Sequence, residues 1–155
     1  MTKILFVCHG NICRSPMAVF VFKKMVKDAG VEDKFVINSA ATSAEEIWNG
    51  KGNPVYPPAR RKLQEHGISC EGKFARQITK EDYSKYDLLI GMDTRNIQNM
   101  IRLFEDDSDN KINLLLGYTG DARSISDPWY SDDFDTAYNE IEKGCIALLK
   151  KLSVK

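Results

Sequence analysis

The chain has no surplus charge of either sign: its 155 residues hold 22 Lys plus Arg against 22 Asp plus Glu. Without a basic excess there is no general pull toward nucleic acid or acidic membranes, so neither partner is expected and any anion must be held by a local site. Long apolar runs are also missing. Nothing approaches the roughly 20 residues needed to span a bilayer, and the stretch Ile4–Val7 has neither the length nor the cleavage site of a secretory signal. Cytoplasmic residence is the expectation, and there thiols stay reduced. Histidine is scarce, with two residues, and the four cysteines, Cys8, Cys13, Cys70 and Cys145, fit no zinc template. Cys8 and Cys13 are too far apart for C-x2-C and no histidine pair follows, so no metal is expected.

What is present is an ordinary globular balance, 43% hydrophobic and 28% charged. Lys3–Cys8 is a continuous apolar run and predicts a strand buried on both faces. A short loop, His9–Arg14, follows. Ser15 is placed to cap a helix with Pro16 in its first turn and Met17, Phe20, Val21 and Met25 on its apolar stripe. Lys34–Ser39 predicts a second strand. Ala40–Pro58 holds Gly50, Gly52, Pro54, Pro57 and Pro58 and predicts a long loop. A helix from Pro58 or Ala59 to Glu65 is expected next, then a brief turn opened by Thr79 and Asp82 as a capping box. Tyr86–Met92 and Lys111–Leu116 predict two more strands, separated by a helix over Thr94–Phe104. A loop over Gly117–Tyr130 leads to a final helix carrying Phe134, Ala137, Tyr138, Ile141, Leu148 and Leu152 on one face. Alternating strands and helices predict an α/β fold with a doubly wound, mainly parallel sheet. No linker divides the chain, so one domain over residues 1–155 is expected. In such sheets the site lies beyond the carboxyl ends of the strands, which brings Cys8, Asp93 and Asp127 to one rim.

The segment Cys8-His9-Gly10-Asn11-Ile12-Cys13-Arg14-Ser15 carries the chemistry. A cysteine ends a strand, five residues follow, and an arginine and a hydroxyl residue open a helix. Backbone N–H groups of His9, Gly10, Asn11, Ile12 and Cys13 can turn inward on one tetrahedral oxyanion, aided by the helix N-terminus. Arg14 can supply a bidentate fork. Gly10 and Asn11 tolerate the left-handed backbone of a tight loop. The same field favours a thiolate at Cys8, a nucleophile suited to phosphorus, and Ser15 can donate a hydrogen bond to its sulfur. The order G-x-x-x-x-G-K-[ST] of a nucleotide loop is absent, and Gly50-Lys51-Gly52 reads as loop punctuation.

Val7-Cys8-His9-Gly10-Asn11-Ile12-Cys13-Arg14-Ser15-Pro16 resembles the active-site motif of the low-molecular-weight protein-tyrosine phosphatases. The likeness continues through Asn38–Ser43, Glu65–Ile68, Ala75–Thr79, Met92–Asp93 and Asp127–Pro128, over essentially the whole chain and in the family's order. It implies a flavodoxin-like four-stranded parallel sheet and no metal or organic cofactor. A phosphocysteine at Cys8 needs an acid for the leaving oxygen and then a base for water, and the resemblance assigns both roles to Asp127, presented by Pro128. It further implies Asn11, Ser15 and Ser39 as supports of the loop and Asp93 as partner of Arg14. Trp129, Tyr130 and, across the crevice, Trp48 are expected to wall it with Ile12. Cys13 matches the family's protective thiol, which condenses with an oxidised nucleophile. One departure is Lys73, which falls where some relatives carry a histidine that supports the loop asparagine.

Phosphotyrosine in protein is the implied substrate, inorganic phosphate the product, and a monomer the expected state. Relatives that prefer phosphoarginine carry a small threonine where this chain has Ile12, so phosphotyrosine is favoured. An arsenate reductase of similar fold passes a disulfide along closely spaced later cysteines, whereas only Cys70 lies between Cys13 and Cys145. A non-enzymatic phosphate-binding module would tolerate loss of the nucleophile or the acid, and both are present.

Overall fold

A computed structural model describes residues 1–153. The first strand, β1 (Thr2–Cys8), lies inside a sheet with β2 (Phe35–Ala41), β5 (Leu88–Gly91) and β6 (Ile112–Leu114), in the order β2-β1-β5-β6. Every pairing is parallel. Helices cover both faces, which is why β1 reads as an unbroken apolar run. Successive side chains of a strand point to opposite faces. Ile4 and Phe6 therefore join the larger core layer, with Phe22 of α1 (Arg14–Asp28) and Ile141 of α6 (Phe134–Ser153). Leu5 and Val7 join the other layer, with Met100 of α4 (Thr94–Phe104). Phe6, Phe22 and Phe35 meet edge to face at 6.0 and 5.5 Å, and each fully buried ring contributes about 1.5–3 kcal/mol.

The register carries the site. Cys8 sits opposite Ala41 and Val7 opposite Gly91, so β1, β2 and β5 end at one level. A Cβ at Gly91 would lie 2.9 Å from Cδ1 of Ile97 and 3.2 Å from Cβ of Asn96. The bare glycine lets the first turn of α4 close over the strand end.

Several expectations are corrected. The long loop after β2 contains a small antiparallel hairpin, β3 (Ile47–Trp48) and β4 (Lys51–Gly52). A Cβ at Gly52 would lie 1.8 Å from the Ala75 carbonyl oxygen, so only glycine lets the hairpin seat against that segment. Ser15 does not cap α1. The helix begins at Arg14, with Cys13 before it and no side-chain cap. At Thr79 only half of the capping box forms: the Asp82 carboxylate reaches back to accept the Thr79 N–H, but the Thr79 hydroxyl donates to that carboxylate while the Asp82 N–H goes to the Thr79 carbonyl, ahead of the short helix α3 (Asp82–Lys85). The fourth strand stops at Leu114, because Leu115 and Leu116 turn into a 3-10 segment, Leu115–Thr119, that packs on α6. The loop before α6 holds a further short helix, α5 (Pro128–Ser131), and α2 spans Pro57–Glu65.

Candidate active site

At the end of β1 the chain turns through a loop whose carbonyls are taken by its surroundings. The oxygens of Cys8, His9 and Ile12 accept N–H bonds from Thr42, Ser43 and Tyr56 at 3.0, 3.0 and 2.8 Å, and that of Cys13 accepts from Met17 at 3.1 Å. The loop is thereby bolted to the segments after β2. The Cys8 sulfur lies 2.9 Å from the Ser15 hydroxyl and accepts the Asn11 N–H at 3.3 Å. No side chain caps α1, which begins at Arg14 beside the loop, an arrangement suited to an oxyanion.

Asn11 holds the loop in shape. Its φ of 60° lies in the left-handed region, and it is 1% exposed. Its amide nitrogen donates to the hydroxyls of Ser15 and Ser39 at 2.8 and 2.9 Å. Its amide oxygen accepts from the Lys73 ammonium at 3.0 Å and the Arg76 N–H at 3.1 Å. All of its side-chain hydrogen-bonding positions are used, which offsets the strained backbone. Lys73 thus does reach the loop asparagine.

Arg14 is 2% exposed. Nη1 donates to the Ile125 carbonyl at 3.0 Å, and Nη2 lies 2.9 Å from Asp93 and 3.4 Å from Asp127. Burial disfavours its charge, but Cys8, Asp127 and Asp93 outweigh that and hold its pKa above the usual guanidinium value. Asp93 also caps α4: its other carboxylate oxygen accepts the Asn96 N–H at 2.8 Å, and the Asn96 side chain accepts the Asp93 N–H at 3.0 Å. Asp127 caps α5 in turn, accepting the Trp129 N–H at 3.1 Å.

These groups open on a crevice of about 580 Å³ lined by the Cys8 loop, Asp93, Asp127, Trp129 and Tyr130. Trp129 rests on Tyr56, ring centres 5.0 Å apart, while Tyr130 is 83% exposed. Trp48 is the expectation that the site does not bear out: it is 77% exposed and does not line the crevice. The turn into β3 instead presents Glu45 and Glu46, and Glu45 lies 3.0 Å from the His9 ring. Thr94 and Arg95 of α4 complete the wall. These four were not singled out from the sequence. Their positions just beyond the ends of β2 and β5 are the signal that could have found them.

Cys13 is buried, and that burial, then Cys8 and Asp127, pushes its thiol up. Burial does the same to Cys145, which packs against α1. Cys70 lines a separate depression between α2 and Lys73. Outside the crevice, His66 stacks on Tyr138 with ring centres 4.1 Å apart, a structural contact at the end of α2. Among the described residues no cluster of three or more His, Cys, Asp or Glu is placed to hold a metal, and no helix is long and apolar enough to cross a membrane.

A family model described as low molecular weight phosphotyrosine protein phosphatase matches residues 3–155. The chain is 41% identical over 154 residues to the low molecular weight phosphotyrosine protein phosphatase of Gallus gallus, covering 96% of this chain and 94% of that one. It is 34% identical over 154 residues to the low molecular weight protein-tyrosine-phosphatase YfkJ of Bacillus subtilis, covering 98% and 96%. The crystal structure of YfkJ superposes with a TM-score of 0.93 over 99% of this chain and 95% of that one. A Drosophila arginine phosphatase superposes with a TM-score of 0.86 at 27% identity, over 97% of this chain and 98% of that one. With residues 3–155 matched by the family model and its fold superposed on solved relatives, the chain belongs to the low molecular weight phosphotyrosine protein phosphatase family.

Proposed function

We propose that this protein hydrolyses phosphotyrosine in proteins, and small aryl phosphates, through a phosphocysteine at Cys8. The observation that carries the reading is the convergence of the Cys8 sulfur, the Arg14 guanidinium and the uncapped start of α1 on one crevice, with Asp127 3.4 Å from Arg14 at its side. The phosphate dianion is held by loop N–H groups from His9 to Cys13 and by Arg14. The sulfur of Cys8 attacks phosphorus in line, the S–P bond forms as the P–O bond to the phenol breaks, and Asp127 gives its proton to the leaving oxygen. Asp127 then takes a proton from water as that water attacks phosphorus, releasing inorganic phosphate and the Cys8 sulfur. Ser15 steadies the sulfur in both steps, while Asn11, Ser39 and Asp93 keep the loop and Arg14 in place.

The walls favour an aromatic ester: Ile12, Trp129 and Tyr130 line the crevice. A second reading, phosphoarginine, draws on Glu45 and Glu46 in the same lining, which suit a guanidinium, and on the likeness to a Drosophila arginine phosphatase. Steady-state kinetics on one peptide carrying phosphotyrosine, phosphoserine or phosphoarginine tests both. The expected order puts phosphotyrosine first by at least about tenfold in kcat/KM, a difference of about 1.4 kcal/mol in transition-state binding. A preference for phosphoarginine would replace the first reading. Arsenate reduction is disfavoured, because Cys70 lies in a separate depression and Cys145 is buried on α6.

The reading extends to a cytoplasmic monomer acting as a single domain, and to Cys13 as a protective thiol. Peroxide converts the Cys8 sulfur to a sulfenic acid. The Cys13 thiol then attacks that sulfur and expels water, leaving a disulfide that a dithiol reduces.

A further inference from the structure

Glu140 is a carboxylate on the buried face of a helix. It lies on α6 between Ala137 and Ile141, both fully buried, and is itself 7% exposed. A glutamate is seldom buried unless it is paired. The other buried polar side chains already have a place in the molecule. Asn11, Arg14, Ser15 and Ser39 build the Cys8 loop, Asn96 caps α4 with Asp93, and Asp82 pairs with Arg76, whose N–H braces Asn11. Glu140 serves none of these.

Both of its oxygens go to one segment. Oε1 accepts the Ser126 N–H at 2.9 Å, and Oε2 pairs with the Arg123 guanidinium, which Asp121 holds from its other side at 2.8 Å. Burial would raise the pKa of Glu140, but the Ser126 N–H and then Arg123 outweigh it and hold the group below the ordinary carboxylate value. Asp127 follows this segment directly. The same backbone is tied to the site by other bonds. The Ile125 N–H donates to the Met92 carbonyl at 2.8 Å, the Ile125 carbonyl accepts from Arg14 at 3.0 Å, and the Ser124 hydroxyl accepts the Thr94 N–H at 3.1 Å. Those ties lead to the ends of β5 and α1 and to the start of α4, whereas Glu140 supplies the tie to α6. On the far side of Asp127, Pro128 restricts the backbone.

We propose that Glu140 is a positioning residue for the proton donor: it anchors Arg123 and Ser126 to α6 and so fixes where the Asp127 carboxylate meets the leaving oxygen. The inference rests on Asp127 being the general acid. Proton transfer needs heavy atoms within about 2.6–3.2 Å of each other, and a misplacement of about 1 Å costs on the order of 10²-fold. Removing the anchor leaves Cys8, Arg14 and the oxyanion loop intact, so the defect belongs to the protonation step alone.

The test reads kcat/KM for aryl phosphates whose phenols span a range of acidity. Glu140→Ala is expected to lose about 10–100-fold with the most basic leaving groups and little with activated ones, steepening the dependence on leaving-group acidity. Glu140→Gln keeps an acceptor for the Ser126 N–H and loses the charge toward Arg123. It should show the same steepening at about 3–10-fold, and it keeps the test open if Glu140→Ala does not fold. In an Asp127→Asn background either substitution should cost nothing further, because the group it positions is gone. A folded Glu140 variant with the parent's leaving-group dependence, a uniform loss across the series, or full additivity with Asp127→Asn overturns the proposal. Failure of the underlying assignment is recognised separately, as a flat loss across the series in Asp127→Asn alone, which would overturn the reading of Asp127 and this inference with it.

Discussion

The Arg14 guanidinium and the Asp93 carboxylate lie 2.9 Å apart at the end of β5, and the second oxygen of that carboxylate caps α4 through the Asn96 N–H. One side chain thus fixes both a helix start and the orientation of Arg14, the arginine proposed to bind phosphate. Asparagine serves as an N-cap about as well as aspartate, whereas alanine loses about 1 kcal/mol there. Asp93→Asn should therefore melt close to the parent yet lose about tenfold or more in kcat/KM, as Arg14 loses the nearer of its two carboxylates. Asp93→Ala should lose stability as well. Thermal melts beside steady-state kinetics check the separation, and equal activity losses without any difference in melting would argue against a dual role.

Cys8→Ser should lower turnover by at least about 10⁴-fold, since nucleophile removal in an analogous covalent hydrolase is of that order or larger. Binding of inorganic phosphate should persist, because the loop N–H groups and Arg14 remain. Arg14→Lys should weaken both binding and turnover, a point charge being unable to supply the fork. Calorimetry with phosphate and single-turnover assays on these two variants distinguish the roles.

Asp127→Asn should slow substrates with basic leaving groups by about 10²–10⁴-fold and activated aryl phosphates much less. The measurement is kcat across phenols of graded acidity. A flat loss across the series would point to a different proton donor.

Mild peroxide should inactivate the enzyme, phosphate should protect it, and dithiothreitol should restore it. Peptide mapping of the oxidised protein should find a Cys8–Cys13 crosslink. Cys13→Ala should recover less completely, because its sulfenic acid proceeds to irreversible states. Full recovery of that variant, or a Cys8–Cys70 crosslink, would count against a protective Cys13.

Lys73 gives a stability prediction of unusual sign. Its folded pKa of about 8 lies below the ordinary lysine value of 10.5, the first cause being burial. Between those pH values the unfolded chain binds more protons than the folded one, so the Lys73 contribution to stability rises with pH across that window. Below it the burial penalty is present in full. Lys73→Met should therefore be more stable than the parent near neutral pH, by on the order of 1–2 kcal/mol after solvent screening and loss of the Asn11 bond are allowed for, while being less active. Urea titrations of both proteins at about pH 7 and about pH 10 read the difference, which should shrink at the higher value. A destabilised Lys73→Met at neutral pH would mean that its hydrogen bonds outweigh the buried charge.

What sequence alone determined is what sits close together in the chain. The run Ile4–Val7 dictates a strand covered on both faces, since no other placement buries four successive apolar residues of a strand. Cys8 through Ser15 form one strand-loop-helix unit, so the proposed nucleophile, oxyanion loop and arginine are legible as a single local motif. Ser15 marks the limit of that reading. Its residue type suits a cap, but the helix starts one residue earlier and the hydroxyl is turned to the sulfur and to Asn11. The tertiary structure alone decided the pairings across distance. Lys73 reaches Asn11 over 62 residues and Arg14 reaches the Ile125 carbonyl over 111. It also placed Glu45 and Glu46, rather than Trp48, beside the crevice. Local pattern encodes backbone conformation and burial, whereas which side chains meet depends on the register of β1, β2 and β5 and on where each connecting loop lands. A shift of one residue in any of those pairings would turn that strand's side chains to the opposite face and displace the loop that follows it.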